Sequence, residues 1–269
     1  MKRTSPALYL KSSPLVYVLA QVVISPILSM PDYIPAIQEK LRHKGYIKYK
    51  HAPTQEIILG PQIQLSALNR WFFTDRDEQK AVIISPQFIV IETTNYETFD
   101  TFMQSFKEVL LIFKEITNAS LAERIGLRYV DVIRPKEGQA LSDYLQPGLL
   151  GIPAEQFGGS KSLYRLEANA ITPAGALVLR LFQSDNGSYL PPDISLESVK
   201  PKLQIEQGET VTVLDIDHFS LQEHDFVTDD LVESMWQLHN YTDRAFKAAV
   251  TSKALQIWEA ENVTNSTTN

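Results

Sequence analysis

Phe99, Phe102, Met103, Phe106, Val109, Leu110, Phe113 and Ile116 recur at intervals of three and four, and no other stretch constrains the fold as tightly. That spacing places all eight side chains on one face of a helix about five turns long. A stripe this wide and aromatic must be covered by a large apolar surface. The residues upstream can supply it. Positions 71–73, 81–85 and 88–92 are short runs rich in aromatic and β-branched residues, separated by a charged turn at 74–78 and by Pro86. They predict an antiparallel meander leading into the helix, which is capped within 94–98.

Either side of this unit the signals are similar. Residues 15–27, bounded by Pro14 and Pro26, predict a first strand. A helix is expected at 32–44, with Asp32 as N-cap and Gly45 as its stop, then an exposed strand at 46–50. Residues 125–133 predict another strand. After a Gly- and Pro-containing connection at 135–160 come a hairpin (163–171 and 176–182), a loop at 185–202, a strand at 210–216 and a helix with Thr228 as N-cap and Asp229 and Asp230 in its first turn. Apolar positions carry that last helix as far as Ile257.

Residues 17–26 align without gaps on residues 164–173: Tyr, Leu, Ile and Pro are identical, and Ser answers Thr. Each copy is followed by strands and then a long helix, so an internal duplication is expected. The predicted fold is α+β, with two similar halves at 1–134 and 161–261, each an antiparallel sheet packed on a long amphipathic helix. They are joined by the connection at 135–160 and followed by a disordered tail at 262–269.

The 269 residues include no cysteine, which excludes disulfides, thiolate metal sites and cysteine nucleophiles. Their net charge of −7 gives no general attraction to nucleic acid or anionic lipid. The basic start Met1–Lys2–Arg3 and the apolar run at 15–24 are separated by Lys11, Ser12, Ser13 and Pro14, so the run reads as a buried strand and not as a signal peptide. A cytoplasmic location is the expectation. Two glycosylation sequons, at Asn262 and Asn265, fall in the polar tail.

Three groups of residues are candidates for chemistry. Arg128 lies on the strand at 125–133, both faces of which are largely apolar, so its guanidinium is expected to be buried and to need an anion. A structural ion pair with Glu92, Glu167 or Asp131 would satisfy it. The functional alternative is an anion-binding cavity between helix and sheet, lined by Arg128 with Arg124 and Tyr129. The second group is the basic run Arg42, Lys44, Tyr46, Lys48 and Lys50, either a lysine-protected edge strand or a patch for an acidic partner. The third is Asp215, Asp217 and His218, which could bind a divalent metal, although alternation on a strand puts His218 on the face opposite the two acids. Glycine-rich phosphate loops, the G-x-S-x-G elbow and H-E-x-x-H are absent. No cofactor and no metal is expected.

The elements Ser13-Pro-Leu-Val16, Ile24-Ser-Pro26, Tyr96-x-x-Phe99, Arg124-Ile-Gly-Leu-Arg-Tyr129, Leu214-Asp-Ile-Asp217 and Leu238-His239, in this order and spacing, resemble a sporadically distributed family of uncharacterised prokaryotic proteins of similar length with an R-I-G-L-R-Y element. The resemblance covers about 15–258. It implies a prokaryotic cytosolic protein, without implying catalytic residues. The patchy distribution implies an accessory component of a toxin–antitoxin or defence locus. The leading functional expectation is a non-catalytic, antitoxin-like binding or regulatory protein whose partner is another protein or a second copy of itself. A small-ligand binder and a metal-assisted enzyme are the alternatives.

Overall fold

The computed structural model describes residues 10–58 and 64–260. The elements in chain order are β1 (Leu15–Ile24), α1 (Met30–His43), β2 (Lys48–Ile58), β3 (Gln64–Thr74), β4 (Lys80–Ile84), β5 (Phe88–Thr93), α2 (Phe99–Thr117) and β6 (Leu121–Ile133). Three short 3-10 turns then lead to β7 (Arg165–Thr172), β8 (Gly175–Ser184), β9 (Val211–Phe219), β10 (His224–Asp225), α3 (Thr228–Ala249) and α4 (Ser252–Ala260). The tail at 262–269, with both sequons, and the basic start at 1–3 lie outside the described residues.

All the strands belong to one antiparallel sheet of order β2-β3-β4-β5-β1-β6-β9-β8-β7, with β10 pairing β6. The two sheets expected from the sequence are therefore one. Its middle is the β1–β6 pair, in unbroken register from Tyr17 opposite Val130 to Val23 opposite Arg124, with a register shift at each end. Strand order is similar outward from this pair: β5 lies beside β1 and is followed by α2, and β9 lies beside β6 and is followed, after the two-residue β10, by α3. The sequence match at 17–26 and 164–173 does not follow that relation. It pairs central, mostly buried β1 with edge strand β7, which is mostly exposed.

α2 forms as its spacing dictates, with the Thr98 hydroxyl accepting from the Thr101 amide (3.2 Å) and Asn118 ending it in the left-handed conformation. Its stripe, with residues of α1 and α3, covers one face of the sheet and buries Val18, Ala20 and Val22 of β1 and Ile125 and Leu127 of β6. Each fully buried phenylalanine there contributes about 2–3 kcal/mol. The other face is partly covered by residues 185–210, a strap that packs Tyr189 and Val199 on Val16, Val130, Val132 and Val213. β6 thus has cover on both faces.

The single helix expected from Thr228 to Ile257 is two. Thr228 is the first helical residue and not the cap, and α3 stops at Ala249. Val250 is bridged to Leu145, Gln146 N–H donates to the Ala249 carbonyl (2.9 Å), and the Thr251 hydroxyl accepts from the Ala254 amide (3.0 Å) to start α4. Leu145 and Gln146 come from the connection after β6, and Thr251 is a local cap that the apolar spacing does not reveal, so the helix periodicity carries no trace of the break.

Candidate functional site

β6 carries two different sets of side chains, because successive residues of a strand face opposite ways. On the face away from the helices Arg128 is 7% exposed. Its Nε and Nη2 donate to Asp215 (2.7 and 2.8 Å), and its Nη1 and Nη2 donate to Asp193 (2.6 and 3.0 Å). Asp215, with no exposed surface, also accepts from Arg180 (3.2 Å). Burial opposes the charge on Arg128, but its hydrogen bonds to the two aspartates, together with their charges, outweigh it and raise its pKa. The same contact holds Asp193 below the usual carboxylate range.

Arg128 is therefore ion-paired, though not with the expected partners. Glu92 is buried and accepts from the Tyr17 and Ser198 hydroxyls; burial, only partly offset by them, raises its pKa. Glu167 pairs with Arg180 (3.0 Å), and Asp131 lies on the opposite face of β6.

The structure brings Arg124 and Arg128 together and leaves Tyr129 apart. The two arginines, with Arg70 and Asp193, line a cavity of about 420 Å³ on the face away from the helices. Arg124 donates to Gln21 (3.0 Å) and lies over the Phe219 ring. Tyr129 points through to the helix side, so a helix–sheet cavity anchored by Arg128 is corrected by simple strand alternation.

The basic run is not a free patch. Arg42 pairs with Glu39 (2.8 Å), Lys44 with Glu108 (3.2 Å) and Lys48 with Glu78 (2.5 Å), while Lys50 lies over Phe72. Tyr46 precedes β2 and is buried in the core, so it is not available for stacking. Burial raises its pKa to about 12.

Asp215 and Asp217 share a face of β9, and His218 points to the other. There its Nε2 meets the Thr172 hydroxyl (2.9 Å) and its Nδ1 the Leu238 carbonyl (3.0 Å). Among the described residues no group of three or more His, Cys, Asp or Glu is placed to hold a metal ion. Nor, among them, is any helix long and apolar enough to cross a membrane.

The helix side of β6 holds a cavity of about 460 Å³ between the strand and α3. Asp131, 4% exposed, forms part of its wall and has no hydrogen-bond partner among the described residues. Burial raises its pKa to about 8, with Lys202 opposing and Asp215 adding to the shift. It is thus largely protonated at neutral pH. Lys202 reaches from the strap, donates to the Leu15 carbonyl (2.7 Å), and has its pKa lowered by desolvation. Deeper in the wall the Tyr129 hydroxyl meets His239 Nδ1 (3.0 Å), and Tyr96 stands edge-on to Tyr129. Burial lowers the His239 pKa to about 4, so this imidazole is neutral.

The sequence names Tyr129 only as a neighbour of Arg128 and Asp131 only as its possible partner, although one signal for Asp131 in its own right was present. Ile125, Leu127, Tyr129 and Ile133 mark the core face of β6, and the same two-residue period puts Asp131 there. A carboxylate on an apolar face needs an explanation. His239 and Lys202 are far away in sequence and have no such mark.

Asp131 has a consequence for stability. Between about pH 4 and pH 8 the unfolded chain has lost this proton while the native chain keeps it, so stability falls as pH rises through that window and levels off above it. Asp131→Asn is expected to be more stable than the parent by a few kcal/mol at pH 8 and nearly equal to it near pH 4. Thermal melts at the two pH values check this; a difference that does not grow with pH contradicts it.

A scan of family models gives no match, and comparisons with curated proteins and with solved structures give none either.

Proposed function

We propose that this protein binds a small molecule in the cavity between α3 and β6, with Asp131 as its polar anchor. One observation carries the reading: a nearly fully buried carboxyl group, without a hydrogen-bond partner among the described residues, in the wall of a cavity of about 460 Å³. A buried polar group without a partner costs stability, and a site that keeps one is a candidate for use. The volume falls in the usual range for small-ligand sites, about 300–1,000 Å³. Native mass spectrometry of protein purified from its own host tests the reading. A bound mass is expected, absent from Ser13→Trp, which places an indole over the cavity from an exposed lining position. A bound mass retained in Ser13→Trp, or none in the parent, overturns it.

A second reading, closer to the protein-binding role expected from the sequence, rests on β7. This strand ends the sheet and is exposed at Glu167, Ala168, Asn169, Ala170 and Ile171, the last at 79%. An open edge admits a further strand, here from a second copy of the chain. Sedimentation then gives a dimer, and Asn169→Pro, which removes a backbone donor, gives a monomer. A monomeric parent rules this out. The strand order around β1 and β6 is our ground for proposing a duplication in which β1 answers β6. The resemblance to the R-I-G-L-R-Y family, with its prokaryotic cytosol and accessory loci, stays a proposal beside these two readings.

A further inference from the structure

Three carboxylates and two lysines line the cavity beneath α3. Asp243 is paired with Lys247 (2.7 Å) and Glu97 is exposed, so Asp131 is the acid left buried and unmatched. The Lys202 ammonium is engaged at the Leu15 carbonyl, and Lys11 is exposed. The rest of the wall mixes aliphatic and hydroxyl side chains with four rings, Tyr96, Tyr129, His239 and Phe246.

We infer that the cavity takes a small organic amine in its ammonium form, the nitrogen against Asp131 and an apolar body against Phe246 and the tyrosine rings. The inference rests on the cavity being a ligand site. An ammonium group offers the hydrogen bonds that the buried carboxyl lacks, and its charge offsets the cost of a carboxylate out of water. Aromatic faces attract the same cation. An anionic ligand would instead face the Asp243 carboxylate and leave Asp131 protonated, and a neutral alcohol brings no charge to offset a carboxylate there.

Because the empty site holds Asp131 with a pKa of about 8, pairing it with an ammonium ion near neutral pH must expel a proton. The other groups around it are Tyr129 on its own strand, Tyr96 before α2, His239 and Asp243 on α3, Asp215 on β9, and Lys202 on the strap. His239 is already neutral, and burial raises the pKa of both tyrosines, so neither supplies that proton.

Titration calorimetry at pH 6.5 with 2-phenylethylamine, 2-phenylethanol and phenylacetate, in phosphate and in MOPS, tests the ligand class. The amine is expected to bind about tenfold tighter than either isostere or better, to release about one proton, and to lose about tenfold or more in Asp131→Asn. Proton release is read on the parent protein, so the result does not depend on the variant folding. If the alcohol or the acid binds as well as the amine, or if the amine binds without releasing a proton, the amine class is wrong while the cavity remains a ligand site. If none of the three binds, the amine inference fails, and the native mass measurement with Ser13→Trp decides the cavity separately.

Discussion

Phe106→Asp is expected to abolish soluble, folded protein. Phe106 is 1% exposed at the middle of the α2 stripe, in the cluster that joins all three long helices to the sheet. The substitution removes a buried ring, worth about 3–5 kcal/mol in loss and cavity, and puts in its place a carboxyl group with no partner. The sum is comparable with the whole stability of an ordinary domain, about 5–15 kcal/mol. Soluble yield and circular dichroism of the variant are the checks. A melting curve like that of the parent would mean that this face of α2 is not the core.

The second large effect belongs to Arg128. Arg128→Met leaves Asp215 wholly buried, with only the Arg180 contact remaining on one oxygen, and a loss of about 3–5 kcal/mol is expected. Asp193 can turn to water because its side chain is 63% exposed, so most of the penalty lies with Asp215. Arg128→Met combined with Asp215→Leu should recover a large part of the loss, as a double-mutant cycle over the four proteins measures. Were Arg128 instead an anion anchor facing an open site, the single variant would melt near the parent temperature. Added phosphate would then stabilise the parent alone. Four hydrogen bonds to two carboxylates argue for the first result.

What could be read in advance followed the range of the interactions involved. α2, β4, β5 and β6 were legible because their periodicity answers to one dominant force, burial on a face, and α2 ends on local caps. β2 was truncated in the reading, since residues 51–58 and 64–70 hold no clear alternation; β4 pairs with β3 only at 71–74, so little of that hairpin is recorded as a core pattern. Merging two runs of strands into one sheet depends on β1 meeting β6 across about a hundred residues, which no local window contains. The Arg128 site divides in the same way. Its burial followed from the strand, but Asp193 and Asp215 were not chosen because Glu92 and Glu167 are equally acidic in one dimension. Their hydroxyl and Arg180 partners exist only in the fold. Asp131 was legible and passed over; the rest of its cavity was not.

The position of β6 has a consequence for how the chain must be made. On a ribosome β1 to β5 and α2 emerge first and can form a meander, but β1 then waits with one side open until β6 follows about a hundred residues later. Once β6 docks, the problem passes to it, since β9 is again some eighty residues away. A nascent chain stalled or cut between residues 134 and 210 would hold β6, a thirteen-residue strand largely apolar on both faces, without β9 to cover its edge. Translation through that interval is therefore the stage at which this protein is most exposed to sticking to its own copies, and at which a holdase chaperone would gain most by meeting it.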